Sequence, residues 1–104
     1  MTDYGVVFCT VPSREEGKKI ARTLVEERLA ACVNIVPGLS SVYEWEGKLC
    51  EDDELLLVIK TRQERFHALE SRLRELHSYD VPEILLLPVE AGSEPYLDWL
   101  SRST

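Results

Sequence analysis

Three stretches of this sequence, Val6-Val7-Phe8-Cys9, Leu55 to Ile59 and Ile84 to Leu87, are apolar at every position. A strand turns successive side chains to opposite faces, so segments without polar alternation call for burial on both sides of the sheet they join. That requirement is severe here. A chain of 104 residues makes one domain, spanning residues 1–104, with a radius of gyration of about 13 Å and little material to cover a second face.

The spacing between these stretches gives the order of elements. Tyr4 to Thr10 is β-branched and aromatic and stops before Pro12, which cannot continue a ladder. Ser13-Arg14-Glu15-Glu16 reads as a capping box in which Glu16 reaches back to the Ser13 amide, and Ile20, Ala21, Leu24 and Val25 follow at helical spacing. Ala31 to Val36 and Ser41 to Trp45 are extended, Gly47 turns the chain, and Lys48 to Thr61 returns. Thr61-Arg62-Gln63-Glu64 is a second capping box, ahead of a stripe of Phe66, Leu69, Leu73 and Leu76 ending near His77. A strand over Glu83 to Val89 and a short helix capped at Ser93-Glu94-Pro95 complete the chain.

This order predicts an α+β fold, a ferredoxin-like split βαβ sandwich (βαββαβ plus a C-terminal helix) with a long β2-β3 hairpin. Both long helices cover one face of such a sheet, and one short extra helix cannot cover four strands on the other. Ala31 to Trp45 is 15 residues, about 50 Å if fully extended, so the hairpin bends at Pro37-Gly38 or reaches another chain. Together these features point to a symmetric homo-oligomer built through the sheets.

Charge and cysteine usage narrow the partners. Twelve Lys and Arg against 19 Asp and Glu leave a formal charge of −7, the wrong sign for a nucleic-acid partner. The longest apolar run, Leu55 to Ile59, falls far short of the ~20 residues of a membrane helix, and the sequence start is unlike a signal peptide. A cytoplasmic protein is expected. Three widely spaced cysteines, Cys9, Cys32 and Cys50, form neither a disulfide framework nor a zinc finger, and read as reduced small hydrophobes.

No nucleophile elbow, phosphate-binding glycine loop, Cys-x-x-Cys or His-Glu-x-x-His motif occurs, so an enzyme is disfavoured. Two side chains are candidate ligands for a soft or borderline metal. Cys9 sits just before a capped helix, whose positive end can lower a thiol pKa; its rival reading is a buried core cysteine. His77, at the C-terminal end of the second helix, is either a ligand or a cation complementing the helix dipole. His67 lies off its helix's apolar stripe and reads as solvated, as does the quartet Glu51-Asp52-Asp53-Glu54, whose members alternate in direction along a strand. Tyr43, Trp45, Tyr79, Tyr96 and Trp99, with Lys60 and Glu83, can line an inter-subunit pocket or anchor an interface.

Several blocks fall in order from Cys9 to Leu100: Cys9-Thr10-Val11-Pro12, Leu24 to Asn34 with its Leu29-Ala30-Ala31-Cys32 core, Ser41 to Lys48, Ile59-Lys60-Thr61, His77 to Glu83 with Tyr79-Asp80-Val81-Pro82-Glu83, and Tyr96 to Leu100. In these the chain resembles the divalent-cation tolerance proteins of the CutA family. The resemblance implies a homotrimer whose sheets extend across subunits, a role in tolerance of heavy-metal divalent cations, and copper(II) binding. Two of the family's copper-ligand positions match Cys9 and His77, whereas a third is Leu76, which cannot ligate a metal; copper binding is therefore expected to be weak or incidental. Ser78 stands where the family usually has proline, which is expected to loosen the helix exit.

Overall fold

A computed structural model describes residues 2–104. Its elements are β1 (Tyr4–Val11), α1 (Arg14–Glu26), β2 (Cys32–Trp45), β3 (Lys48–Arg62), a 3-10 turn (Gln63–Arg65), α2 (Phe66–Leu76), β4 (Leu85–Pro88) and α3 (Glu94–Arg102). The four strands form one antiparallel sheet in the order β2-β3-β1-β4, so β3 lies between the two strands that α1 connects. This is the predicted α+β split βαβ arrangement.

Local chemistry accounts for α1. Ser13 has extended backbone and its hydroxyl accepts the Glu16 amide at 3.2 Å, while Gly17, Ile20 and Leu24 face inward. Gly17 is needed because α1 crosses β1 closely: a Cβ there would stand 3.2 Å from a Val11 methyl. The helix stops where Arg28 takes a left-handed conformation (φ 59°), and the Leu29 and Ala30 amides fold back onto the Leu24 carbonyl. Only half of the first capping box forms. The Glu16 carboxylate turns away from Ser13 to accept the Ser78 amide and hydroxyl, both at 3.0 Å. Those two bonds secure the exit of α2, so serine at this position ties the segment down rather than loosening it.

The second capping box is absent. β3 continues through Arg62, Thr61 is fully buried, and its hydroxyl donates to the Leu29 carbonyl at 2.7 Å; no side chain caps the 3-10 turn or α2. A buried threonine in the ladder between the end of α1 and the sheet satisfies a carbonyl there, and this requirement outweighs a helix cap. β4 is also shorter than expected: pairing with β1 runs only from Phe8↔Leu85 to Gly5↔Pro88, leaving Glu83 and Val89 outside the strand.

Val7, Cys9 and Val11 from β1, Leu57 and Ile59 from β3, Ile20 and Leu24 from α1, and Leu69 and Leu73 from α2 form a fully buried core on one face of the sheet. The opposite face is apolar but only partly covered. Val6, Phe8, Leu56 and Val58 are half-buried there, and Leu85 and Leu87 are exposed. α3 covers one end, held by Arg28 and Arg62 donating to the Arg102 and Thr104 carbonyls, and the Lys60 ammonium lies 5.8 Å from the Tyr96 ring.

The β2-β3 hairpin projects from this body and makes the molecule 44 Å long against 25 and 24 Å across. It bends at a bulge: Val36 faces Leu56 but Leu39 faces Glu54, leaving one extra residue in β2 at Pro37-Gly38. The tip is a two-residue turn with Glu46 at φ 52° and Gly47 at φ 80°, the twist that suits a tight hairpin.

Candidate functional site

Cys9 and His77 converge on one backbone carbonyl. Cys9 faces the core, and its thiol donates weakly to the Thr10 carbonyl at 3.7 Å. His77 ends α2 in an extended conformation and directs its ring away from that helix, toward β1. Its Nε2–H donates to the same Thr10 carbonyl at 2.7 Å, and its Nδ1 accepts the Tyr79 amide at 3.0 Å. A carbonyl can only accept and an amide can only donate, so these contacts select one neutral tautomer. The ring bridges the end of α2 to the Thr10 carbonyl of β1, and the Glu16 carboxylate lies 3.5 Å from its Nδ1.

These contacts also decide how the pair can meet a metal. Burial, reinforced by Glu83, Glu16 and Glu54, pushes the Cys9 thiol from 9.0 up to about 12. This reverses the expectation that the start of α1 lowers it: the loss of water around a fully buried sulfur outweighs the dipole. The thiol is held protonated, the imidazole nitrogens are both engaged, and Leu76 packs against the core. Among the described residues no three His, Cys, Asp or Glu side chains are placed to hold an ion together. The donor set of one subunit does not fit a resident copper centre. Iodoacetamide at pH 8 followed by peptide mass mapping is expected to leave Cys9 unmodified in the native protein and to label it fully in denaturant; native labelling would contradict the burial described.

A second constellation lies on the other face of the sheet. Thr10, Tyr43, Trp45, Glu54, Tyr79 and Glu83, with Ser41, Val42, Asp80 and Val81, line a cleft of about 540 Å³ between the hairpin and the loop after α2. Four of the expected pocket residues, Tyr43, Trp45, Tyr79 and Glu83, meet here within one subunit. Lys60 and Trp99 do not: with Tyr96, whose ring stands 5.5 Å from that of Trp99, they belong to the α3 end of the molecule. Glu83 reaches the cleft because β4 starts two residues later.

The acidic quartet is not uniformly solvated. Alternation along β3 sends Asp52 and Glu54 to the cleft face, where Tyr43 donates to Asp52 and Tyr79 donates to Glu54 at 2.7 Å. Glu54 is only 7% exposed. The bond to Asp52 pushes the Tyr43 phenol up to about 12, and burial together with the Glu54 bond raises that of Tyr79. The signal for Glu54 was its parity: it shares a face with Asp52, and so with whatever aromatic side chains β2 presents opposite.

The model of the CutA1 divalent ion tolerance protein family matches residues 5–103. The chain belongs to that family. A CutA1 relative from Thermus thermophilus, named a divalent-cation tolerance protein, is 57% identical over 99 residues that make up 95% of this chain and 96% of its own length. Chloroplastic CutA from Arabidopsis thaliana is 58% identical, but this chain spans only 54% of it. Among CutA1 structures, that of the Thermus thermophilus protein superposes with a TM-score of 0.95 at 55% identity, covering 97% of this chain and 98% of its own. The rice CutA1 structure gives 0.94 at 51% identity, covering 97% and 93%.

Proposed function

We propose that this chain acts in divalent-cation tolerance as a non-enzymatic cytoplasmic homotrimer, and that its contact with copper(II) is weak and incidental. Family membership supports the role in tolerance. The half-covered sheet face, with Leu85 57% exposed, and the free edges β2 and β4 support assembly through the sheets. Three free cysteines fit a reducing compartment. The observation that carries the copper reading is the Thr10 carbonyl shared by Cys9 and His77: a metal taking either side chain must first displace that contact and remove the thiol proton.

Native mass spectrometry with and without one equivalent of Cu²⁺ per chain tests this. The expected spectrum is a trimer at both conditions, with no copper retained after buffer exchange at neutral pH. Stoichiometric copper lost in both Cys9→Ala and His77→Ala would overturn the copper reading, and a monomer would overturn the assembly.

A second reading, a trimeric scaffold that takes a small molecule, is favoured by the cleft itself, whose volume falls within the range of ligand sites.

A further inference from the structure

The sheet face that bears the cleft is the one that neighbouring copies cover in the assembly, so a charge buried there finds its partner on another copy. Glu54 is such a charge. It is more than nine-tenths buried, and its sole hydrogen bond among the described residues comes from the neutral Tyr79 phenol. No ion pair among those residues includes it. A carboxylate that has lost most of its water without gaining a cation is costly, and a cation brought against it removes that cost.

The sheet itself limits which cation this is. β1, β2 and β4 contain no Lys or Arg, and the three on β3, Lys48, Lys60 and Arg62, share with Glu54 the even positions that turn to this face. Arg62 is already taken by Glu64 and the Thr104 carbonyl. Lys48 stands exposed at the hairpin tip. Lys60 is partly buried, joins no ion pair among the described residues, and has the Tyr96 ring beside its ammonium.

Glu54 and Lys60 cannot meet within one subunit, because six positions of strand hold them about 20 Å apart. A closed ring of three, however, joins two different patches of each copy. Here the two patches carry opposite charges at the ends of one apolar strip, Leu56 and Val58.

We propose that in the trimer the partner subunit's Lys60 is the counter-ion of Glu54, an interfacial ion pair that fixes how the hairpin end of one sheet meets the α3 end of the next. This pairing rests on the homotrimer proposed above.

Sedimentation velocity over a dilution series, in low-salt buffer with enough urea to dissociate the parent in part, tests it. Lys60→Met is expected to raise the concentration at which half of the chains are trimeric by at least about tenfold. Lys60→Glu, which sets a second carboxylate beside Glu54, is expected to raise it further. Glu54→Gln keeps the size of the side chain and an oxygen for the Tyr79 hydroxyl, and alone is expected to weaken the trimer as Lys60→Met does. Added to Lys60→Glu it is expected to recover most of the extra loss, a gain that misfolding cannot produce. Lys48→Met is expected to match the parent. Unchanged trimers in the single variants, equal losses from Glu54→Gln with and without Lys60, or coupling of Glu54 to Lys48 instead, would overturn the pairing and leave the homotrimer standing. A parent that is monomeric without urea would overturn both.

Discussion

Leu57→Ala lowers the unfolding free energy by about 2–5 kcal/mol, measured by urea denaturation at fixed protein concentration. Leu57 is fully buried on β3, paired with Cys9 on β1 and Ile35 on β2, and its side chain stands 3.4 Å from where a Cβ on Gly17 of α1 would lie. Truncation therefore opens a cavity where two layers meet, and the neighbouring backbone, held by ladders on both sides, cannot close it. Leu49→Ala provides the control. Leu49 is 76% exposed near the hairpin tip, and its loss is expected to stay within about 0.5 kcal/mol. Equal costs at the two positions would mean that the core lies elsewhere.

Stability falls steeply in alkali, and Cys9 accounts for the first part of the fall. Its thiol ionises at 9.0 when unperturbed and at about 12 in the folded chain. Between those values the unfolded chain has released a proton that the native chain still holds, so the native state binds more protons and stability decreases as pH rises. Below pH 9 the contribution is constant. Over the whole window it amounts to about 4 kcal/mol. Tyr79, raised from 10.0 by burial and by Glu54, adds to the loss at higher pH with the same sign. Urea unfolding of the parent at pH 8, 9, 10 and 11 is expected to show a progressive decline. Cys9→Ala costs stability at pH 8 but flattens the curve between pH 9 and 10; a variant with the parent's slope would remove Cys9 as the cause.

Most of the fold was legible because the elements announce themselves locally. Ser13 before an amphipathic run, Gly47 at a hairpin tip and the unbroken apolar stretches each follow from backbone and solvation chemistry within a few residues. The misreadings came from long-range satisfaction of polar groups. Thr61 and Glu64 have the spacing of a cap, but Thr61 is fully buried and donates to the Leu29 carbonyl across 32 positions. Glu16 has the spacing to cap Ser13, but Ser78 offers it two donors from across 62 positions. His77 read as a metal ligand or a helix-end cation, because its neighbours in sequence say nothing of the Thr10 carbonyl its ring meets. All three aromatic side chains of the cleft, Tyr43, Trp45 and Tyr79, were foreseen, although Tyr96 and Trp99 belong elsewhere; Glu54 was missed because alternation along the strand was used only to exclude convergence of the four acids, and gave no sign of the tyrosines that meet Asp52 and Glu54.

The extra residue at Pro37-Gly38 inverts the parity of β2. Before the bulge, even-numbered positions such as Asn34 and Val36 share a face with Leu56 and Val58; beyond it, odd-numbered Ser41, Tyr43 and Trp45 do so with Asp52 and Glu54. In an unbulged ladder with the same β3, Val42 and Glu44 would take the cleft side and both aromatic rings would point away from it. The chemical character of the cleft therefore depends on one residue of chain length placed outside it. An insertion or deletion at this bend would exchange the aromatic wall for a valine and a glutamate without changing any cleft residue.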